Sequence, residues 1–177
     1  GAGDGTFGPP TLFDLGAEPG RIALADLDGD GDLDVAAAGR TPSSIRVSMN
    51  TTGTPIDPEP LEVTWQSSFD NFFNNEDPSH VAVSPNGNII TAGSTAFTSN
   101  EEDFLIAAFD DQGSTLWNHV YNGDGDHYDK IEHIRIGADN SVIIVGQSWG
   151  PSFSVQWATM KLDQNGNRLW INRYDGG

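Results

Sequence analysis

The chain has 177 residues, of which 26 are acidic and 8 basic, giving a net charge of −18 at pH 7. That balance excludes a nucleic-acid face, which needs clustered Lys and Arg, and an electrostatic hold on anionic membranes. There is no cysteine for a disulfide framework, and no apolar run approaches the roughly 18 residues of a membrane-spanning helix.

Glycine (21) and proline (10) are frequent, and good helix-forming runs are missing. Short apolar alternations lie between turn signals such as Asn86-Gly87, Gln112-Gly113 and Asn165-Gly166. Asn-Gly between alternating segments is a strong hairpin signal, so the fold class is read as all-β. Gly1 opens a glycine-rich segment, and the expectation is that any targeting sequence has been removed or lies outside these residues.

Arg21-Ile22-Ala23-Leu24-Ala25 reads as a strand entering the nonapeptide Asp26-Leu27-Asp28-Gly29-Asp30-Gly31-Asp32-Leu33-Asp34. Five carboxylates in nine positions repel one another unless a hard cation sits among them. Carboxylate and carbonyl oxygens are the ligands calcium prefers. The alternating spacing lets a tight loop turn Asp26, Asp28 and Asp30 inward. Gly31 permits the sharp turn, Asp32 offers its backbone carbonyl, and Asp34 closes the shell. An EF-hand would need a carboxylate at the twelfth position, which is Ala37. The run Val35-Ala36-Ala37-Ala38-Gly39 suits a buried strand instead. An unmetallated acidic turn is the plain alternative.

Ser44 to Asn50 forms the next strand, and Asn50-Thr51-Thr52 has the form of an N-glycosylation sequon at its end. Gly53 to Pro60 (GTPIDPEP) carries three prolines in eight residues and reads as a stiff connector.

Residues 61–177 repeat. Trp65, Trp117 and Trp170 are 52 and 53 residues apart, and His80 and His133 are 53 apart. Gly93 matches Gly146, Phe104 to Asp110 matches Trp157 to Asp163, and Tyr121-Asn122-Gly123 matches Tyr174-Asp175-Gly176. A period near 53 with about four strands per copy is the pattern of a β-propeller blade.

With Asp77 and Asp129 before their strands, this part resembles the bacterial propeller repeats called SBBP repeats. Residues 1–52 are similar to an FG-GAP (VCBS-like) repeat, the unit bearing calcium loops in integrin-type propellers. The match to the Asp-x-Asp-x-Asp-Gly-x-x-Asp loop is complete. The resemblance implies Asp26, Asp28, Asp30 and Asp34 as side-chain ligands of Ca2+ and Asp32 as a backbone ligand. The family's second motif is partial, as Gly16-Ala17-Glu18-Pro19.

The expected architecture is therefore propeller-like blades of four-stranded antiparallel sheets: a calcium repeat at 1–52, a linker at 53–60, and about two further copies with a third cut short at 61–177. That is short of the four or more blades of a closed propeller. Either the chain belongs to a longer polypeptide, or subunits complete one another through exposed strand edges.

Asn122, Asp124, Asp126 and Asp129 form a second acidic cluster, read as a second metal site or a solvated turn. The repeat equivalence of His80 and His133 favours packing or hydrogen bonding in each blade over zinc. His119 and His127 flank the acidic turn and are expected to be exposed. Trp149 stands where the preceding repeat has Ala96, so it is a candidate for stacking on a sugar or a neighbouring subunit. No nucleophile motif, HExxH sequence or phosphate-binding glycine loop is present. The expected role is non-catalytic: a secreted, calcium-stabilised structural or adhesive protein at the cell surface, a subunit of a filament or other assembly. The alternative is a carbohydrate-binding accessory module of a larger secreted enzyme.

Overall fold

The computed structural model describes residues 19–40, 43–50, 63–68, 77–96, 102–125 and 127–176. Among them the structure is all-β, with three four-stranded antiparallel sheets. The first contains β1 (Pro19–Ala25), β2 (Asp34–Arg40), β3 (Ser43–Ser48) and β4 (Trp65–Ser68). The second contains β5 (Asp77–Val83), β6 (Ile89–Ala96), β7 (Glu102–Phe109) and β8 (Thr115–Tyr121). The third contains β9 (Asp129–Ile136), β10 (Val142–Trp149), β11 (Val155–Leu162) and β12 (Arg168–Tyr174). Each is a meander in chain order, as in a propeller blade.

The blades stack face to face through their first strands. β5 packs on β1 and β2, and β9 packs on β5, β6 and β7. Strand alternation then divides the middle blade between two cores. Ile89, Leu105, Ala107 and Phe109 join Ala36, Ala38, Ile45 and Val47 of the first blade. Ile90, Ala92, Phe104, Ile106 and Ala108 join Val142, Ile144, Met160 and Leu162 of the third. This is why β7 reads as an unbroken apolar run, Phe104 to Phe109, instead of alternating: both of its faces are covered. Each Phe or Ile so buried contributes roughly 1.5–3 kcal/mol.

The phase of the blades differs from the phase of the sequence repeat. Trp65 begins β4, which pairs with β3 and closes the first blade, Val47 lying opposite Trp65. Trp117 and Trp170 likewise lie in β8 and β12, the last strands of their blades. The first sheet thus draws three strands from 1–52 and one from 61–177. The connector 53–60 lies outside the described residues.

Among the described residues, five hairpin turns share one geometry. In each, the first residue accepts a hydrogen bond from the fourth and donates to the fifth, as in Gly87 N to Ser84 O and Ser84 N to Asn88 O. The fourth position has positive φ and is Gly87, Gly113, Asn140, Phe153 or Gly166. This is a three-residue loop ending in a left-handed residue, where glycine costs least.

Candidate metal centre

The acidic nonapeptide connects β1 to β2, the place taken by a tight turn in the other two blades. Its local hydrogen bonds explain its curl. Asp26 accepts from Gly29 N (2.7 Å) and Gly31 N (3.1 Å), Asp28 from Asp30 N (3.1 Å), and Asp30 from Asp32 N (2.9 Å). Gly29 and Gly31 both have positive φ, which lets the chain reverse twice within the loop.

Asp34 is the anchor. Its side chain is 0% exposed. One oxygen accepts from Leu27 N at 2.6 Å and the other from Asn50 N at 2.7 Å. The carboxylate therefore ties the start of the loop and the end of β3 to the start of β2. Leu27, beside it, is buried in the first core and plugs the loop onto the blade.

Carboxylate oxygens of Asp26, Asp28 and Asp34 all lie within 4.8 Å of one another. Asp30 and Asp32 do not join that group. The ion pairs among the described residues join Lys130 to Glu132, Lys161 to Asp139 and Arg173 to Asp124, so none neutralises the loop. Hard oxygen donors converging without a protein counter-charge fit a hard divalent cation such as calcium.

The second acidic cluster is arranged differently. Asp124 is exposed and paired with Arg173, whose guanidinium holds its carboxyl below the usual carboxylate range. Asp129 is fully buried and accepts from the backbone N–H groups of Gly123 and Trp149. Burial pushes its carboxyl up, against the pull of those hydrogen bonds. Asp124 and Asp129 thus face different protein donors. Asn122 is exposed, and Asp126 lies outside the described residues.

Trp149 ends β10, half-buried, with the ring of His127 edge-on at 6.4 Å. His127 in turn stacks on Phe153 at 4.3 Å. Phe153 is 68% exposed and holds φ 58°. Trp149 is the sequence candidate here; Phe153 is not, although it is a bulky residue at the fourth position of a turn whose counterparts carry Gly or Asn. Asn50 is half-buried behind Asp34; Thr51 and Thr52 lie outside the described residues.

The histidines sort by blade contact. His80 is buried, with Nδ1 2.9 Å from Ser79 Oγ and Nε2 3.0 Å from the carbonyl of Glu132 in the next blade. Burial, then the charge of Arg21, holds it below the usual imidazole range. His133, one repeat on, is exposed. His119 is not exposed as expected: it lies in β8, half-buried, because β8 is covered by the third blade, and desolvation lowers its affinity for a proton. A scan of protein-family models and a search of curated proteins both returned no match for this chain.

Proposed function

We propose that this chain is a calcium-stapled β-blade scaffold with a structural or adhesive role outside the cell, a subunit of a filament or surface assembly. The observation that supports it is the convergence of Asp26, Asp28 and Asp34 on a loop that joins two core strands. These three would hold the ion; by the FG-GAP resemblance, Asp30 and the carbonyl of Asp32 would complete its shell. A bound cation neutralises the mutual repulsion of the carboxylates and fixes the β1–β2 connection against the first core. An ion that binds only the folded chain adds about 2.7 kcal/mol at a hundredfold excess over its dissociation constant. Millimolar extracellular calcium suits exposed loops of this type. No helix among the described residues is long and apolar enough to cross a membrane. The reading is tested by thermal unfolding: chelator lowers the Tm and calcium restores it, whereas identical curves would overturn it.

A second reading, a carbohydrate-binding module, is favoured by the His127–Phe153 stack beside Trp149. An exposed aromatic held at positive φ retains backbone strain that glycine would relieve, and such strain clusters at ligand sites. Glycan-array binding lost in both Phe153→Ala and Trp149→Ala would support it; an array with no binding would exclude it.

A further inference from the structure

Between the second and third blades, three side chains of the second reach across. His80 bonds the carbonyl of Glu132, Trp117 donates Nε1–H to the carbonyl of Gln164 at 2.8 Å, and the Tyr121 hydroxyl accepts from Arg173. One repeat later these positions are His133, Trp170 and Tyr174, and all three are exposed. The strand pairing places them on one face. Trp157 lies opposite Tyr174 on one side and Gln147 on the other, and Lys161 lies opposite Trp170 and Ile143. Trp157, the repeat counterpart of buried Phe104, is 52% exposed, and Tyr174, the counterpart of buried Tyr121, is 64% exposed. The outer face of the third blade is therefore a copy of a face that, one repeat earlier, is covered by a blade.

The first blade presents the complementary side. Ala23 and Ala25 of β1 pack toward the second blade, so Ile22 and Leu24 point away from it. β5 and β9 use that opposite side, through Val81 and Ile134, to pack on the blade before them. Leu24 is 56% exposed. The β1 pairing also carries an irregularity between Pro19 and Ile22, matching those in β5 and β9; in β9 it includes Glu132, whose carbonyl receives the histidine of the preceding blade.

Charge fits the same order. The second blade, Asp77 to Tyr121, contains no Lys or Arg, whereas the third carries five of the chain's eight: Lys130, Arg135, Lys161, Arg168 and Arg173. Arg135 and Lys161 both pair in register with Ile143, next to the β9–β10 turn, where Lys161 is already paired with Asp139 and Arg135 is exposed. The corresponding connection of the first blade is the acidic loop, whose five carboxylates stay net negative even with a divalent ion bound. Turns at this end touch between successive blades, as Asn86 N donates to Asn140 Oδ1 at 3.1 Å.

We infer that the outer face of the third blade binds the outer face of the first blade of a second copy, head to tail, continuing the blade order across the junction. Two copies supply six blades, within the range of closed propellers, and a head-to-tail interface that closes makes a ring. This deepens the scaffold reading by naming its partner. The assembly measurement is made in excess calcium and that of the loop is a melting curve, so the two fail separately.

The test is sedimentation of the 177-residue chain and of Leu24→Asp and Trp157→Asp, both at exposed positions, with circular dichroism confirming that each variant folds. The wild type is expected at twice the monomer mass or above, and each variant alone at the monomer mass. An equimolar mixture of the two variants regains dimer, because each retains the face the other has lost. A monomeric wild type overturns the inference. So does a mixture that fails to associate, or a Leu24→Asp protein that still dimerises, which would place the contact between two third blades.

Discussion

The ring of Trp117 lies so close to Gly166 that a Cβ added there would stand 2.6 Å from Cε3. Trp65 and Gly113 repeat the relationship one blade earlier, at 2.7 Å. The last strand of each of the first two blades thus puts its tryptophan onto the last turn of the next blade. The glycine is required twice, for positive φ and for the space the indole fills.

Gly166→Ala and Gly113→Ala should therefore cost more than the left-handed penalty of about 1–2 kcal/mol for a non-glycine residue. Gly87 has the same positive φ but open space around it, so Gly87→Ala should cost that penalty alone. Urea unfolding of the three variants gives the comparison. Equal losses at Gly87 and Gly166 would mean that the indole contact adds nothing.

Asp34 serves both the anchoring of the acidic loop and its proposed ion, whereas Asp28 bears chiefly on the ion. Asp34→Ala leaves the N–H groups of Leu27 and Asn50 without their acceptor. An unsatisfied buried donor costs about 1–3 kcal/mol, so this variant should be destabilised even in chelator, and by more in calcium, because Asp34 is also one of the three proposed ligands. Asp28 is exposed, and its described hydrogen bond is to Asp30 N. Asp28→Ala should match the wild type in chelator to within about 0.5 kcal/mol, as surface changes usually do, and lose the increment that calcium provides. Melting curves of both variants under both conditions check this.

Phe153→Gly should leave the stability of the chain nearly unchanged. Relief of the left-handed backbone is worth about 1–2 kcal/mol, against a lost His127 stack of about 0.5–1.5 kcal/mol and the added freedom of the unfolded glycine. These terms offset one another to within about 1 kcal/mol, so the urea midpoint should hardly move. A clear loss of stability would show that the stack outweighs the strain.

Stability should fall as the pH drops below the ordinary histidine range. His80 and His119 both have a folded-state pKa below the ordinary imidazole value of 6.5, chiefly from burial. The unfolded chain then binds more protons in this window, so the free energy of unfolding decreases from about pH 6.5 down toward the folded-state values. The contribution is fully present above 6.5. Urea unfolding at pH 7.5 and 5.5 in chelator measures the slope, and His80→Gln should flatten it. Asp139, held at about 2 first by the Ser141 hydroxyl and then by Lys161, titrates well below that window.

Much of this fold was legible because turn chemistry and periodicity are local. Asn86-Gly87, Gln112-Gly113 and Asn165-Gly166 each mark a hairpin turn, and the tryptophan spacing gave about four strands per repeat. The phase of the blades was not legible. That Trp65 belongs with β3 depends on a strand pairing across the connector, which no local pattern encodes. The apolar run from Phe104 to Phe109 fits any buried strand, and only the stacked third blade shows why it does not alternate. At the loop, alternating spacing pointed Asp26, Asp28 and Asp30 inward with Asp34 closing the shell, whereas the structure brings Asp26 and Asp28 together with Asp34 and leaves Asp30 out of the group. The anchoring role of Asp34 depends on Asn50, sixteen residues away. Phe153 was not legible because a turn residue with positive φ is expected to be glycine.

Calcium binding measured directly, by equilibrium dialysis of the wild type against Asp28→Ala, tests the scaffold account at its base. The account predicts saturable uptake of calcium by the wild-type loop, sharply weakened in the variant while the fold persists. Uptake that is absent, or the same in both proteins, would contradict it.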